Sequence, residues 1–527
     1  MDAEFSISSA EEAASAIAGL ARGDSDEARA AIVQILAGLE ASALAPRTLF
    51  EIAEVLRPHG DDVIDGYRSG YTDRALPLGE EEARRFGHAT ALFHAFETLY
   101  QRVFEAALAA RPDDPMRQDP AGALQRCMAC VVGQMIEHYR ARQNVGLELW
   151  QRLQQRMQVA TREKLEAAPV PDPLNPRGSA TPLATYARSL LLSIAQAGAM
   201  AYRNLEATLA LTGLFSDLVD VEMLDDNKGE GSADLQGGAT GVRIQRTGRI
   251  RVVVVGGVTH LVNTTKMAGA LNGCVQRLRD GDTPAQIGLA TVAQADLASL
   301  LPRLHRIWCA AGEIRETVRQ PLQEQSTVAV GFREIHKLAN PKPLVLPKEF
   351  EVYKAGMTAL RGGDEQTLAV DQQANPTENW QILDHSASGM RAQRTQPGAR
   401  LRRGMLLGFR FDSMQEDSGF ALAEVRWLQQ FTDGDGGGIV AGVRFVSMHA
   451  QTALVRVFNL IPGRYQDIGP AFVLSQSSPP QLILPSGWFA PGRKVDLWNQ
   501  DKLLKVELTD LRARGADYEI VGYEPIK

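Results

Sequence analysis

The sequence predicts an α+β chain: an N-terminal all-α helical domain, then antiparallel β-barrel domains, then a strand-rich C-terminal segment. Three observations predict it. Residues 1–213 repeat apolar side chains every three or four positions, with proline and glycine kept to the joints. Near residue 215 the apolar period shortens toward two. From 326 onward, short strand-like runs follow one another with glycine and aspartate between them, the pattern of a small antiparallel barrel.

Taken in order, Ser8 and Ser9 precede EEAASAIAGLA, an N-cap with acidic residues in the first turn. Asp24–Asp26 open EARAAIVQILAGLEASAL, and further helical stretches follow near 46–57, 79–111, 119–166 and 181–214. Pro58, Pro77, Pro112, Pro115 and the run PVPDPLNPRG at 169–178 punctuate them. The segment 214–310 reads as a mixed α/β unit. LVDVEML (218–224), VRIQ (242–245) and RIRVVVVGG (249–257) look like strands, and two helices follow at about 265–280 and 292–311. A degenerate barrel is one expectation for this unit. Residues 311–460 read as the main barrel, with TVAVGF, NWQILDH, MRAQRT, MLLGFRF, FALAEVRWLQQF and GIVAGVRFV as strands. A helix and a polar loop interrupt it at 334–378, and MHAQTALVRVFN reads as a short closing helix. Residues 461–527 form a C-terminal β-rich subdomain carrying FVLSQ, QLILP, KVDLWN, LLKVEL and YEIVGY.

Composition excludes several classes of function. A chain of 527 residues suggests roughly three domains. The net charge of −7 argues against a chain-wide nucleic-acid grip, which needs lysine and arginine to neutralise phosphates. Cys127, Cys130, Cys274 and Cys309 are too few for a disulfide framework, and Cys127 and Cys130 lack a second CxxC to complete a zinc site. They read as core cysteines, and no metal is expected. The N-terminus lacks the basic and apolar regions of a secretory signal, and no apolar run approaches the roughly 20 residues of a membrane helix. A cytoplasmic location is expected. No nucleophile–base grouping or phosphate-binding loop stands out. Gly362-Gly363-Asp364-Glu365-Gln366 is similar to the GGDEF signature of diguanylate cyclases but falls in a loop outside any such domain. The expectation is therefore not an enzyme, with no catalytic residues and no cofactor.

One pair of motifs carries specific chemistry. IRETVRQ sets Arg315 and Arg319 four apart just before the main run of strands, and DHSASGM sets Asp384, Ser386 and Gly389 at the end of one strand. RxxxR followed by DxSxxG, each touching a β-strand, resembles the PilZ family of cyclic di-GMP receptors over about residues 311–460. The resemblance implies cyclic di-GMP as ligand, with the two arginines on a lead-in segment that wraps it. A planar guanidinium fork matches phosphate oxygens or the guanine O6/N7 edge and stacks on a base. Asp384 would accept from guanine N1 and N2, Ser386 would donate and accept beside it, and Gly389 would permit a tight turn or a close backbone approach. His385 and Arg391 are supplementary candidates, with Arg394 and Arg361 further off. The gap between the motifs is longer than the family's usual one, so the fold must bring them together. The bland readings are an Asx-type turn at Asp384 and a solvated arginine face. The functional alternative is a barrel without its nucleotide, acting as a protein–protein scaffold. The helical region would dock an unidentified protein partner, and a homo-oligomer is left open.

Overall fold

The computed structural model describes the chain apart from residues 1–6, 19–24, 111–119, 225–242, 248–249, 256–257, 291, 311–319, 340–376, 413–419, 434–435, 458–466, 475–476, 500–501 and 527. It divides into two compact units, residues 1–74 with 78–314, and residues 75–77 with 315–527.

Among the described residues, the first unit begins with eight α-helices: α1 Ala10–Ala18, α2 Ser25–Ala41, α3 Pro46–Tyr71, α4 Glu80–Ala109, α5 Pro120–Arg140, α6 Leu147–Arg162, α7 Pro182–Ile194 and α8 Tyr202–Phe215. Pro46 opens α3, where its missing N–H costs nothing. The helix then runs through Pro58, which the sequence had suggested as a joint. Leu49, Ile52, Leu56, Val63, Ile64 and Tyr67 are all buried, and packing on both sides of the proline holds the two halves in one helix. Glu82 reaches back to the Gly79 amide at 2.7 Å and, with Glu80 and Glu81, favours the α4 N-terminus. The stretch 119–166 is two helices, because Arg142 takes a left-handed φ of 54° and Gly146 caps α6. Helix α5 is buried around almost its whole circumference, as a central helix must be. The proline-rich run 169–178 carries β1 Val170–Pro171, which pairs with β2 Ser179–Ala180.

Strands β3 Asp220–Leu224, β4 Arg243–Thr247, β5 Ile250–Val255 and β6 Val258–Asn263 form an antiparallel sheet in the order β3-β6-β5-β4, which does not close among the described residues. Strand β6 was not anticipated. A histidine interrupts its apolar alternation, yet His260 is fully buried, with Nε2 2.6 Å from the Tyr186 hydroxyl and Nδ1 3.2 Å from Val253 O. Helices α9 Thr265–Arg279 and α10 Gln294–Cys309 fall where the periodicity placed them. Trp308 of α10 donates to Leu191 O of α7 at 2.9 Å, so one apolar core runs from Ala13 to Cys309.

The second unit holds two closed six-stranded antiparallel barrels. Strands β7 Gln320–Val330, β8 Thr377–Ser386, β9 Gly389–Arg394, β10 Leu406–Phe411, β11 Ala421–Asp433 and β12 Gly436–Ser447 close in the order β10-β11-β12-β9-β8-β7. Strands β13 Gln451–Val457, β14 Asp467–Leu474, β15 Gln481–Pro485, β16 Lys494–Asn499, β17 Lys502–Arg514 and β18 Tyr518–Pro525 close in the order β13-β14-β15-β18-β17-β16. The stretch MHAQTALVRVFN (448–459), expected as a helix, instead carries β13 at Gln451–Val457. Ala453, Val455 and Val457 point into the second barrel, and Arg456 between them is buried against Asp496. From residue 75–77, Leu76 pairs with Leu401 in both directions at 2.7 Å.

Helix α11 Phe332–Ala339 lies over the first barrel, and an apolar cluster joins the two barrels. Phe472 of β14 packs its ring against Phe332 and Phe420, with centroids 5.5 and 5.7 Å away. Asp517 accepts from Leu406 N at 3.0 Å at this junction. Burial pushes its carboxyl up to about 6 from 3.8, against the opposing pull of that amide and of Arg402. The folded state thus favours protonated Asp517. Its contribution is fully present below pH about 4 and is lost as pH rises through about 6. Asp517→Asn keeps an acceptor for Leu406. It is expected to stabilise the protein above pH 6 by on the order of 2 kcal/mol and to be neutral near pH 4. Paired thermal melts across that range check this.

Candidate functional site

The expected site lies at one end of the first barrel. Arg315 and Arg319 fall outside the described residues, as do Arg361 and the 362–366 loop. The first described residue after them, Gln320, starts β7 and pairs directly with His385, and Pro321 pairs with Asp384. The stretch that separates the motifs in sequence therefore leaves β7 and β8 as neighbours. Residues 340–376 lie outside the described set, between α11 and β8.

A tight turn at residues 387–388 links β8 to β9 and carries DxSxxG. Asp384 pairs across the ladder with Arg391, and Ser386 with Gly389, after a bulge near Ile382. Arg391 Nε lies 3.0 Å from Asp384 Oδ2, with side chains 36% and 14% exposed, so this pair is only partly desolvated. The Ser386 hydroxyl donates to Gly389 O at 3.1 Å and lies 3.4 Å from Ser388 Oγ, which ties the turn. Gly389 is required by contact. A Cβ there would stand 2.1 Å from Val443 O of the adjoining strand β12.

Alternation sorts these residues by face. Met390 and Ala392 are fully buried inside the barrel, so Gly389 and Arg391 face out, together with Asp384 and Ser386. His385 pairs with Met390 and so stands on the opposite face from Asp384. Arg394 is 3% exposed. It ion-pairs with Glu378, donates to Ala399 O at 2.6 Å and lies 5.6 Å over the Trp380 ring. It holds the barrel together and presents no free head.

Sequence reasoning missed two neighbours. Arg444 pairs with Gly389 across β12 and, with its side chain 54% exposed, salt-bridges Glu424 at 2.7 Å. Trp427 pairs with Gly442, which in turn pairs with Arg391. A Cβ on Gly442 would meet Trp427 Nε1 at 2.0 Å, so the partly buried indole lies flat on the strand at that glycine. An isolated glycine inside the VAGVRF strand was the available signal, since such glycines mark close approaches or aromatic cover. The outer face thus sets a carboxylate, two arginines and an indole around one glycine-bearing turn. These are groups suited to an anionic, aromatic, donor-rich ligand.

Elsewhere, burial pushes the Cys127 thiol up to about 12 and raises that of Cys130 as well, and both side chains lie in the helical core. Among the described residues, no group of three or more His, Cys, Asp or Glu side chains could hold a metal ion, and no helix is long and apolar enough to cross a membrane.

Comparison with curated proteins gave no match. Two family models do match. Residues 11–226 match the model described as "Cyclic-di-GMP receptor FimW, N-terminal domain". Residues 455–526 match "FimW C-terminal beta-barrel domain", which is the second barrel. The DxSxxG turn lies between the two matched spans, and the family named is FimW, where the sequence motifs resembled PilZ. Both matched models are of FimW, which the first describes as a cyclic-di-GMP receptor, so the chain is similar to that receptor over its N-terminal helical region and its C-terminal barrel.

Proposed function

We propose that the chain is a cyclic di-GMP receptor that holds its ligand at the outer face of the first barrel, through Arg315, Arg319, Asp384, Ser386 and Gly389. One observation carries this reading: Gln320 pairs with His385. Arg319 is bonded to Gln320, and Arg315 is five residues before it, an extended reach of at most about 18 Å. The family match gives independent support for the ligand. Asp384 is now shared with Arg391, and guanine N1 and N2 donors would compete for the same oxygens or add to them. Trp427 and Arg391 offer flat surfaces on which a guanine can stack. Ligand binding would order the arginine segment over the barrel and change how the helical unit meets a protein partner.

Calorimetric titration of the full chain with cyclic di-GMP tests this. Arg319→Ala and Arg315→Ala are each expected to weaken binding tenfold or more, since a bidentate arginine–guanine contact is worth about 1–3 kcal/mol. Asp384→Asn should weaken it as well. Binding that none of these substitutions changes would move the site elsewhere. No binding at all would favour a nucleotide-independent interaction scaffold.

A further inference from the structure

The helical unit encloses a second feature that the barrel site does not use. A cavity of about 550 Å³ opens between α3, α4, α5, α7, α8 and the β1–β2 loop, a size typical of small-molecule pockets. Six arginines line it. Five of them have carboxylate partners. Arg57 and Arg126 pair with Glu54 and Asp172, Arg68 and Arg140 with Glu137, and Arg177 with Asp217.

The sixth, Arg188 on α7, has no carboxylate partner among the described residues. One Nη2 contact to Leu209 O at 3.3 Å is its hydrogen bond, and its buried Nε has no acceptor. A guanidinium presents five donors, so most of the capacity of this cavity-lining group is unused by the described residues. Burial pulls its pKa down to about 10, and the Arg140 charge pushes the same way. It therefore remains a cation at neutral pH. An unneutralised, partly buried charge is costly, and the usual remedy is a counter-charge. Gly213 leaves space beside it, since a Cβ there would sit 3.9 Å from Arg188 Nη2. Phe93 and Phe96 supply apolar wall, and Asp61 offers an acceptor elsewhere in the same cavity.

We infer that this cavity is a binding site for a small organic anion whose carboxylate or phosphate pairs with Arg188, separate from the cyclic di-GMP site. The apolar wall would take the body of the ligand and Asp61 would accept from a hydroxyl or amine. The helical unit would then sense a second small molecule.

The test compares thermal melts of the full chain and of Arg188→Met in chloride, inorganic phosphate and acetate at matched ionic strength. General salt effects act equally on both proteins, so the difference between them isolates the site. The wild type is expected to gain a saturable shift of about 2–4 °C in phosphate or acetate that Arg188→Met lacks. Which anion acts tells a phosphate ligand from a carboxylate one. In chloride, Arg188→Met should melt at or above the wild type, because it removes an uncompensated charge. Arg188→Gln serves as the second variant if the methionine form does not fold. Equal shifts in wild type and variant, or none in either, overturn the proposal. Cyclic di-GMP affinity should be the same in Arg188→Met and wild type; a loss would place the nucleotide in this cavity and overturn the separate site. Failure here leaves the Arg319→Ala titration untouched, so the two readings fall independently.

Discussion

Gly389→Ala is expected to destabilise the second unit by about 3 kcal/mol and to abolish cyclic di-GMP binding at any concentration where the wild type is half-saturated. The added methyl meets Val443 O at 2.1 Å and Arg444 Cα at 3.1 Å. Both are backbone atoms of a paired strand, so no rotamer change relieves the clash and β9 and β12 must part. Overpacking of this kind ordinarily costs about 1–3 kcal/mol, and a backbone-to-backbone clash belongs at the upper end. The same parting would move Ser386, whose hydroxyl rests on Gly389 O, and Arg391, which lies against Asp384. The control is Gly269→Ala in α9, where a Cβ meets nothing within 4 Å. That change should be neutral or stabilising by up to about 1 kcal/mol, from helix propensity. Calorimetric unfolding of both variants decides the matter. Equal behaviour would mean that the β9–β12 contact is soft.

Glu97→Ala is expected to cost about 3–5 kcal/mol, the largest single effect in the helical unit. The carboxylate is 2% exposed and accepts from Gln134 Nε2 at 2.7 Å, Arg152 Nη1 at 2.7 Å and Arg156 Nη2 at 2.6 Å. It ties α4 to α5 and α6 at one point. Removing it takes the nearest carboxylate from two largely buried guanidinium groups, which keep only weaker partners, and leaves Gln134 Nε2 without this acceptor. Glu97→Gln should cost less, because the amide oxygen still accepts. Adding Arg156→Met to Glu97→Ala should recover part of the loss, since it takes away one stranded charge. Thermal unfolding of the single and double variants measures this. Strict additivity would show that the arginines find water or other partners once Glu97 is gone.

How much of this was legible in the sequence follows from how local each signal is. Helices α4, α9 and α10 and the strands that carry Trp380, Met390, Phe409 and Val443 were readable because one face is buried and the repeat shows it. The DxSxxG turn was readable because its residues are adjacent in the chain. Strand β13 was misread because seven residues, apolar on both faces of a barrel wall and carrying a buried ion pair at Arg456, have no distinct period. Strand β6 was hidden by His260, whose burial depends on Tyr186, 74 residues away. Trp427 and Arg444 became neighbours of Gly389 and Arg391 only through the β11–β12–β9 register, which no single segment encodes. Arg188 looked like any other arginine. Its lack of a counter-charge among the described residues is a property of the whole cavity wall.

The Phe472 cluster bears on how this protein is handled at the bench. Ile335, Leu406, Phe420 and Leu422 on one side and Phe472, Ile483 and Tyr518 on the other make a single greasy seam. Cutting the gene near codon 450 to express the first barrel alone would bare that seam to solvent, and the product should clump or recruit detergent. A dissection that stays monodisperse has to keep residues 320–526 together, and a family inheriting this layout would be expected to shuffle the two barrels as one cassette.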